Sequence, residues 1–342
     1  MRRTSLNLDH LADFFRLCRA AHRAYKAKRD RNGRLLSHQS LAFMLNVEDE
    51  VITLQRELLS NSYTPGPFRH FWVCDRKPRF ISAAPFRDRV VHHSLTALLS
   101  PRLERYADPH SYACRPQRGL HRAIHYAQKL SNRYQWALRL DVAHYFETLP
   151  HQPLKDQLRR LFKGDPTLAI ADRFIDHAPL GCAQGRGLPI GNLTSQHYAN
   201  LYLGQLDHAL RQEFKIGGYL RYMDDMTLFA QDKKTLQAAH RFVATFLQER
   251  LSLTLKDSAT RLGPSRLGIP LLGFRVFPSH IRFDRSRLKR YRLKRRQLDQ
   301  LWRKGLDEEE LRPRSEALSA WAQVANTYQM RRRHAYRLAD ET

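Results

Sequence analysis

Two neighbouring carboxylates, Asp224 and Asp225, sit inside the run Tyr219-Leu220-Arg221-Tyr222-Met223-Asp224-Asp225-Met226-Thr227-Leu228-Phe229-Ala230. Branched and aromatic residues on both sides have strand character, so the pair reads as the tip of a tight hairpin. Adjacent ionised aspartates repel, and each raises the other's proton affinity until a divalent cation removes the conflict. Hard carboxylate oxygens select magnesium or manganese, and two-metal phosphoryl transfer needs carboxylates that converge from separate strands. Asp141, at the end of the alternating run Trp136-Ala137-Leu138-Arg139-Leu140-Asp141, is the third candidate ligand. An Asp-Asp pair also serves ordinary turn chemistry. The constellation around it favours the catalytic reading.

Several elements must position these residues. Apolar residues recur at helical spacing through residues 1–60 (Leu8, Leu11, Phe14, Phe15, then Leu41, Met44, Leu45). After the Thr64-Pro65-Gly66-Pro67 break, the runs 68–73 and 79–81 read as a strand pair. Helices are expected over Val90 to Leu99, Leu120 to Leu130 and Leu193 to Phe214, a loop over Gly185 to Gly191, and strands at 136–141 and on both sides of the acidic turn. From Arg285 to Lys304 there are ten basic residues and one acidic, over an apolar stripe of Leu288, Tyr291, Leu298, Leu301 and Trp302. That pattern predicts a basic amphipathic helix, either a solvated surface helix or one that tracks phosphates. The order is mixed α and β without internal repeats.

Composition agrees with a nucleic-acid partner. The 342 residues carry 59 Lys and Arg against 33 acidic residues, a net charge of +26, and 42% are hydrophobic. The chain is long enough to bury a sizeable core, and a polyanion is its natural partner. Cys18, Cys74, Cys114 and Cys182 have no paired spacing, which argues against a zinc site or disulfide framework and fits a reducing cytoplasm. The absence of a long apolar run or signal-peptide core leads to the expectation of a cytoplasmic protein without membrane contact.

The hairpin tetrad Tyr222-Met223-Asp224-Asp225, with Leu140-Asp141-Val142-Ala143-His144-Tyr145-Phe146 upstream, resembles the reverse transcriptase family. The resemblance implies an α+β right-hand polymerase fold: fingers, a palm whose antiparallel sheet is backed by helices, and a helical thumb. It implies RNA-directed DNA synthesis from deoxynucleoside triphosphates with two Mg2+ ions, Mn2+ as a substitute. Asp141 and Asp224 would bind both metals, Asp225 would assist, and the Val142 carbonyl would complete one coordination shell. Phe146 would be the steric gate against a ribose 2′-hydroxyl, because a rigid ring beneath the sugar leaves no room for an extra oxygen. Arg79 matches a triphosphate-binding cation of the fingers, and Arg76 or Lys77 would supply a second. Such cations gain value as charge develops on the leaving group.

The segment from Gly187-Leu188-Pro189-Ile190-Gly191 to Ser195-Gln196 resembles the family's template grip and nucleotide floor, where glycines let backbone approach a base pair. Ile190 and Gly191 would face the nucleotide, and Gly187, Pro189, Ser195, Gln196, Tyr222 and Met223 would contact template or primer. Most relatives carry Pro-Gln-Gly and then Ser-Pro here. The forms Pro189-Ile190-Gly191 and Ser195-Gln196 resemble diversity-generating retroelement enzymes, which copy a template RNA with errors. An aliphatic Ile190 loses the hydrogen bonds of a glutamine, which implies looser selection and lower fidelity. In Leu251 to Thr260, Ala259 stands where relatives place lysine; either Lys256 substitutes or the role is absent. Gly273 and Phe274 resemble the primer grip, and Arg287, Lys289, Arg290 and Lys294 lie on the expected thumb.

The resulting division is a helical region at 1–60, fingers at 61–135, palm at 136–284 and thumb at 285–342. Expected partners are template RNA, the RNA/DNA hybrid, a structured noncoding RNA and a small basic accessory protein. Alternatives are an antiviral-defence polymerase copying a dedicated noncoding RNA, a catalytically idle RNA-binding scaffold, and a group II intron maturase.

Overall fold

The computed structural model describes residues 3–26, 38–74, 78–328 and 330. Arg76 and Lys77, the alternative second triphosphate cations, lie outside the described residues. The chain forms two compact units.

The first unit comprises Met1–Pro109, Val142–Glu213 and Val243–Leu255. Its central helix, Phe86–Tyr106, packs against the Phe14–Lys26 and Leu193–Gln212 helices. Val90, Val91, Leu95 and Leu99 on this helix are buried with Leu17, Ala21, Leu203 and Leu206. Each buried Val or Leu side chain contributes about 1.5–3 kcal/mol. The Val47–Leu59 helix carries Glu48, Asp49 and Glu50 in its first turn and Arg56 in its last, complementing its dipole.

Asp88 fastens the Pro/Gly break to the central helix. Tyr63 Oη donates to its Oδ1 at 2.7 Å and Gly66 N to its Oδ2 at 2.8 Å. Burial raises the Asp88 carboxyl above its ordinary value, against the opposing pull of these two hydrogen bonds. The hairpin that follows pairs Arg69–Cys74 with Pro78–Ala83, from Arg69 opposite Ala83 to Cys74 opposite Pro78.

The second unit comprises His110–Asp141, Phe214–Phe242 and Lys256–Thr342. Its four-stranded antiparallel sheet runs in the order Gly218–Tyr222, Asp225–Ala230, Trp136–Asp141, Arg261–Pro264. A second antiparallel sheet contains Ile269–Leu271, Phe274–Val276 and Ile281–Phe283. The Leu120–Arg133 helix joins them, burying Ala123, Ile124 and Ala127 in one cluster with Leu220, Phe229, Leu271, Phe274 and Val276. The basic helix, Arg285–Arg303, is capped by Asp284, whose side chain accepts from Arg287 N at 2.6 Å. It packs on the Glu308–Ala322 helix through Tyr291, Leu298, Leu318 and Ala322.

The elements differ from the periodicity in informative places. The expected helix at 90–99 extends over Phe86–Tyr106, with Pro101 inside it. The N-terminal 60 residues are not wholly helical, because Thr4–Ser5 pairs in parallel with Phe162–Lys163. A two-residue strand has no period to read. Trp302, expected in the apolar stripe of the basic helix, is 47% exposed, since the partner helix covers the Tyr291 and Leu298 side instead. All four cysteines are free thiols. Among the described residues no helix is long and apolar enough to cross a membrane.

Candidate active site

The strand Asp225–Ala230 is buried along its whole length, which explains why only Asp225 and Thr227 interrupt an otherwise apolar run. Its register with Trp136–Asp141 places Asp141 opposite Asp225, Leu140 opposite Met226 and Arg139 opposite Thr227. The Asp141 carbonyl accepts from Lys256 N at 2.8 Å on the far edge, so Asp141 and Asp225 face each other as a non-hydrogen-bonded pair. Side chains approach most closely across such pairs. Because strands alternate faces, Arg139, Asp141, Asp225 and Thr227 share one face of the sheet. Ala137 and Phe229 lie toward the other end of that face, and Leu220 lies opposite Thr227, all three within the apolar cluster under the Leu120–Arg133 helix. Asp224 occupies the hairpin tip.

The tip is held from inside. Met223 has φ of +60°, a left-handed conformation that costs a non-glycine residue about 1 kcal/mol or more. Arg221, wholly buried, donates Nη1 to the Met223 carbonyl at 2.9 Å. Its backbone pairs with His110 and Tyr112, through Arg221 N to His110 O and Tyr112 N to Arg221 O, each at 2.9 Å. Tyr222 is half-buried, and burial followed by the nearby Cys114 raises its phenol above the ordinary value.

Asp225 is engaged by Arg139. Nε donates to Oδ1 at 2.9 Å and Nη2 to Oδ2 at 2.7 Å, a bidentate fork. Burial raises the Asp225 carboxyl; the hydrogen bonds and charge of Arg139 pull it down, and the charge of Asp141 adds to the rise. Arg139 is itself raised: burial lowers it, but its bond to Asp225 and the charges of Asp225, Asp141 and Asp224 prevail. The donor chemistry fits a hard divalent cation, with carboxylate oxygens of Asp141 and Asp224 at one sheet end. Among the described residues no group of three His, Cys, Asp or Glu is disposed to hold a metal ion.

Lys256 lies beside Asp141 through its backbone, and Ala259 ends the short helical turn Asp257–Ala259. In the first unit, Val142 is buried and bridged to Leu255, and Ala143 N donates to Thr254 O at 2.9 Å. That pairing leaves the Val142 carbonyl on the opposite edge of its strand.

Also in the first unit, the Leu188–Asn192 loop is fastened on two sides. Leu188 N donates to the Phe146 carbonyl at 2.6 Å, and Ser82 N donates to the Ile190 carbonyl at 3.1 Å. Ala84 N donates to Asn192 Oδ1 at 3.2 Å. The loop is therefore tied to the Pro78–Ala83 strand and its end rather than hanging free. Gly191 has φ of +113°, and a Cβ there would lie 2.9 Å from Ile81 Cγ2, so this glycine permits a close approach to the strand carrying Arg79. Arg79 is exposed. Ile190 lines a cavity of about 170 Å³ with Phe80, Ser82, Leu180, Cys182 and Leu188. Gly187, Pro189 and Ser195 are buried, and Gln196 is half-buried.

Two residues expected on nucleic acid lie inside the second unit instead. Phe274 is fully buried in the sheet core, and Arg287, 9% exposed, stacks over its ring at 4.0 Å. Strand alternation turns Phe274 inward, and the position of Arg287 in the first helical turn aims it back at that core. Gly273, at the hairpin turn, accepts from Asp284 N at 3.1 Å. Lys289 and Lys294 are exposed and Arg290 is half-buried. Arg139, Arg221 and Asn192 were not singled out from sequence. Arg139 had a usable signal, since it stands two positions before Asp141 and must share its strand face.

Comparison with known proteins bears on the family and the fold. Residues 74–276 match the family described as reverse transcriptase (RNA-dependent DNA polymerase). Protein YkfC of Escherichia coli K12 is 24% identical over 277 residues, covering 68% of this chain and 73% of YkfC. The group II intron-encoded protein LtrA of Lactococcus lactis subsp. cremoris is 23% identical over 172 residues, covering 48% of this chain and 29% of LtrA. The apo telomerase of Candida tropicalis truncated from its C-terminal domain superposes with a TM-score of 0.50 at 11% identity, over 67% of this chain and 59% of that chain. That likeness is one of fold, the right-hand polymerase fold of mixed helices and antiparallel sheets. With the family match spanning more than half its length, the chain belongs to the reverse transcriptase family of RNA-dependent DNA polymerases.

Proposed function

We propose that the protein copies a template RNA into DNA by two-metal nucleotidyl transfer, with error-prone synthesis for a diversity-generating retroelement as its setting. The observation that carries the reading is the register that sets Asp141 opposite Asp225, with Asp224 at the adjoining turn. Asp141 and Asp224 would hold Mg2+, with Mn2+ as a substitute; Asp225 would assist and the Val142 carbonyl would complete a shell. When bound, the ions supply charge neutralisation for the attacking and leaving oxygens and a lowered pKa for the primer hydroxyl.

The chain's own groups do the rest. Arg79 binds the triphosphate, with its charge most valuable as the pyrophosphate departs. Phe146 excludes the 2′-hydroxyl. Lys256, attached by its backbone amide to the Asp141 carbonyl, is the candidate proton donor in place of the lysine missing at Ala259. Gly187, Pro189, Ile190, Gly191, Ser195 and Gln196 form the nucleotide floor and template grip, with Tyr222, Met223 and Gly273 toward the primer. Lys289, Arg290 and Lys294 track the RNA/DNA hybrid, whose phosphates also account for the net charge of +26. We assign residues 61–135 to fingers, 136–284 to palm and 285–342 to thumb, after an N-terminal region at 1–60. The template is a structured noncoding RNA, presented with a small basic accessory protein.

Ile190 and Gln196 support the retroelement setting, because they depart from the usual Gln and Pro of the same loop. The test is extension of a DNA primer on an RNA template with Mg2+. Extension by the full chain, reduced by ~10³-fold or more in Asp141→Asn and Asp224→Asn, is expected. Undiminished extension in both variants refutes the reading.

A further inference from the structure

Three carboxylates at one end of a sheet repel one another in the metal-free protein, and the fold has placed a guanidinium among them. Arg139 stands on the same strand and face as Asp141, opposite Thr227 and diagonal to Asp225. Its fork takes both Asp225 oxygens, at 2.9 and 2.7 Å, with Asp225 only 8% exposed. A buried bidentate pair of this kind is well defined, and neither oxygen of Asp225 can turn to a metal without loosening it.

We propose that Arg139 is a positioning residue that serves as the internal counter-ion of the carboxylate trio, competing with the divalent ion for Asp225. This rests on the metal-binding role proposed above for Asp141 and Asp224. Those two carboxylates then make the first capture of the ion. Asp225 contributes only to the extent that it leaves Arg139. The arrangement keeps the acidic hairpin folded without metal and lowers the affinity for the ion in the absence of substrate, because Arg139 already holds the Asp225 carboxylate and its charge has the same sign as the ion's.

The direction of the effect separates this role from a merely structural one. A residue that only maintained the site's shape would, on removal, weaken both stability and metal binding. Removing a competing counter-ion lowers metal-free stability yet tightens metal binding. The experiment titrates Mn2+ into the full chain, without nucleotide or nucleic acid, following free Mn2+ by electron paramagnetic resonance and unfolding by thermal melt.

Arg139→Gln is expected to bind Mn2+ roughly fivefold or more tightly than wild type, to melt earlier without metal, and to recover more of its melting temperature on Mn2+ addition. Arg139→Lys, which keeps the charge but not the fork, is expected between the two. Equal or weaker Mn2+ binding in Arg139→Gln, with binding abolished in Asp224→Asn, overturns the proposal and leaves the metal reading standing. Mn2+ binding at wild-type strength in Asp224→Asn overturns the metal reading and this proposal together. If Arg139→Gln does not fold, Arg139→Lys decides: affinity at or below wild type overturns the proposal.

Discussion

Arg221 Nη1 donates to the Met223 carbonyl at 2.9 Å, so a wholly buried guanidinium supports the hairpin turn from beneath. Arg221→Met should leave that carbonyl without its charged donor and relax the left-handed Met223. The expected cost is about 3 kcal/mol of unfolding free energy, as for breaking other buried charged networks. Denaturant melts measure it; a midpoint equivalent to a loss below about 1 kcal/mol would show that the turn holds itself.

Phe146 is half-buried, packs edge-on to Tyr145 with ring centroids 5.7 Å apart, and has its carbonyl fixed by Leu188 N. Its ring is therefore anchored at both backbone and side chain. Phe146→Ala should raise incorporation of ribonucleotides relative to deoxynucleotides by roughly 100-fold. Single-nucleotide extension with each substrate measures the ratio, and an unchanged ratio removes Phe146 from the gate.

Ile190 is held by Ser82 N through its carbonyl, and the residue lines a cavity whose wall also includes Ser82 and Glu147. Ile190→Gln keeps the backbone bond and adds a hydrogen-bonding amide. The error rate on a mixed RNA template should fall several-fold, read by deep sequencing of the cDNA. Identical error spectra in the two proteins would sever Ile190 from fidelity.

His92 lies edge-on to Phe174 at 4.2 Å, and its Nδ1 has no hydrogen-bond partner among the described residues. Burial, with smaller contributions from the charges of His93, Arg89 and His177, lowers its pKa from 6.5 to about 3. The folded state thus binds this proton less readily than the unfolded chain. Stability present above pH 6.5 is lost as pH falls toward 3, by about 1.4 kcal/mol per pH unit. His92→Leu should flatten that slope in urea melts between about pH 4 and 6. Parallel slopes for the two proteins would place the acid sensitivity elsewhere.

Much of the hairpin was legible because its signals are local: an aromatic and branched run, two acids, and a second run. The same holds for Trp136–Asp141 and for the basic helix at Arg285–Arg303. The burial of Phe274 and Arg287 was not legible. An aromatic beside a glycine and an arginine in a basic run have the same local appearance whether they face solvent or a core. The anchoring of Ile190 to Ser82 joins segments far apart in the chain, and nothing in either segment encodes the other.

By itself the sequence determined the residue types, the strand and helix periods, the polyanion-seeking charge and the candidate carboxylates. These depend on side-chain chemistry and on neighbours a few positions away. Only the tertiary structure decided that Asp141 stands opposite Asp225, that Arg139 donates to both oxygens of Asp225, and that Arg221 lies wholly buried. Strand register and burial come from long-range pairing, where a shift of one residue reverses every side chain's face.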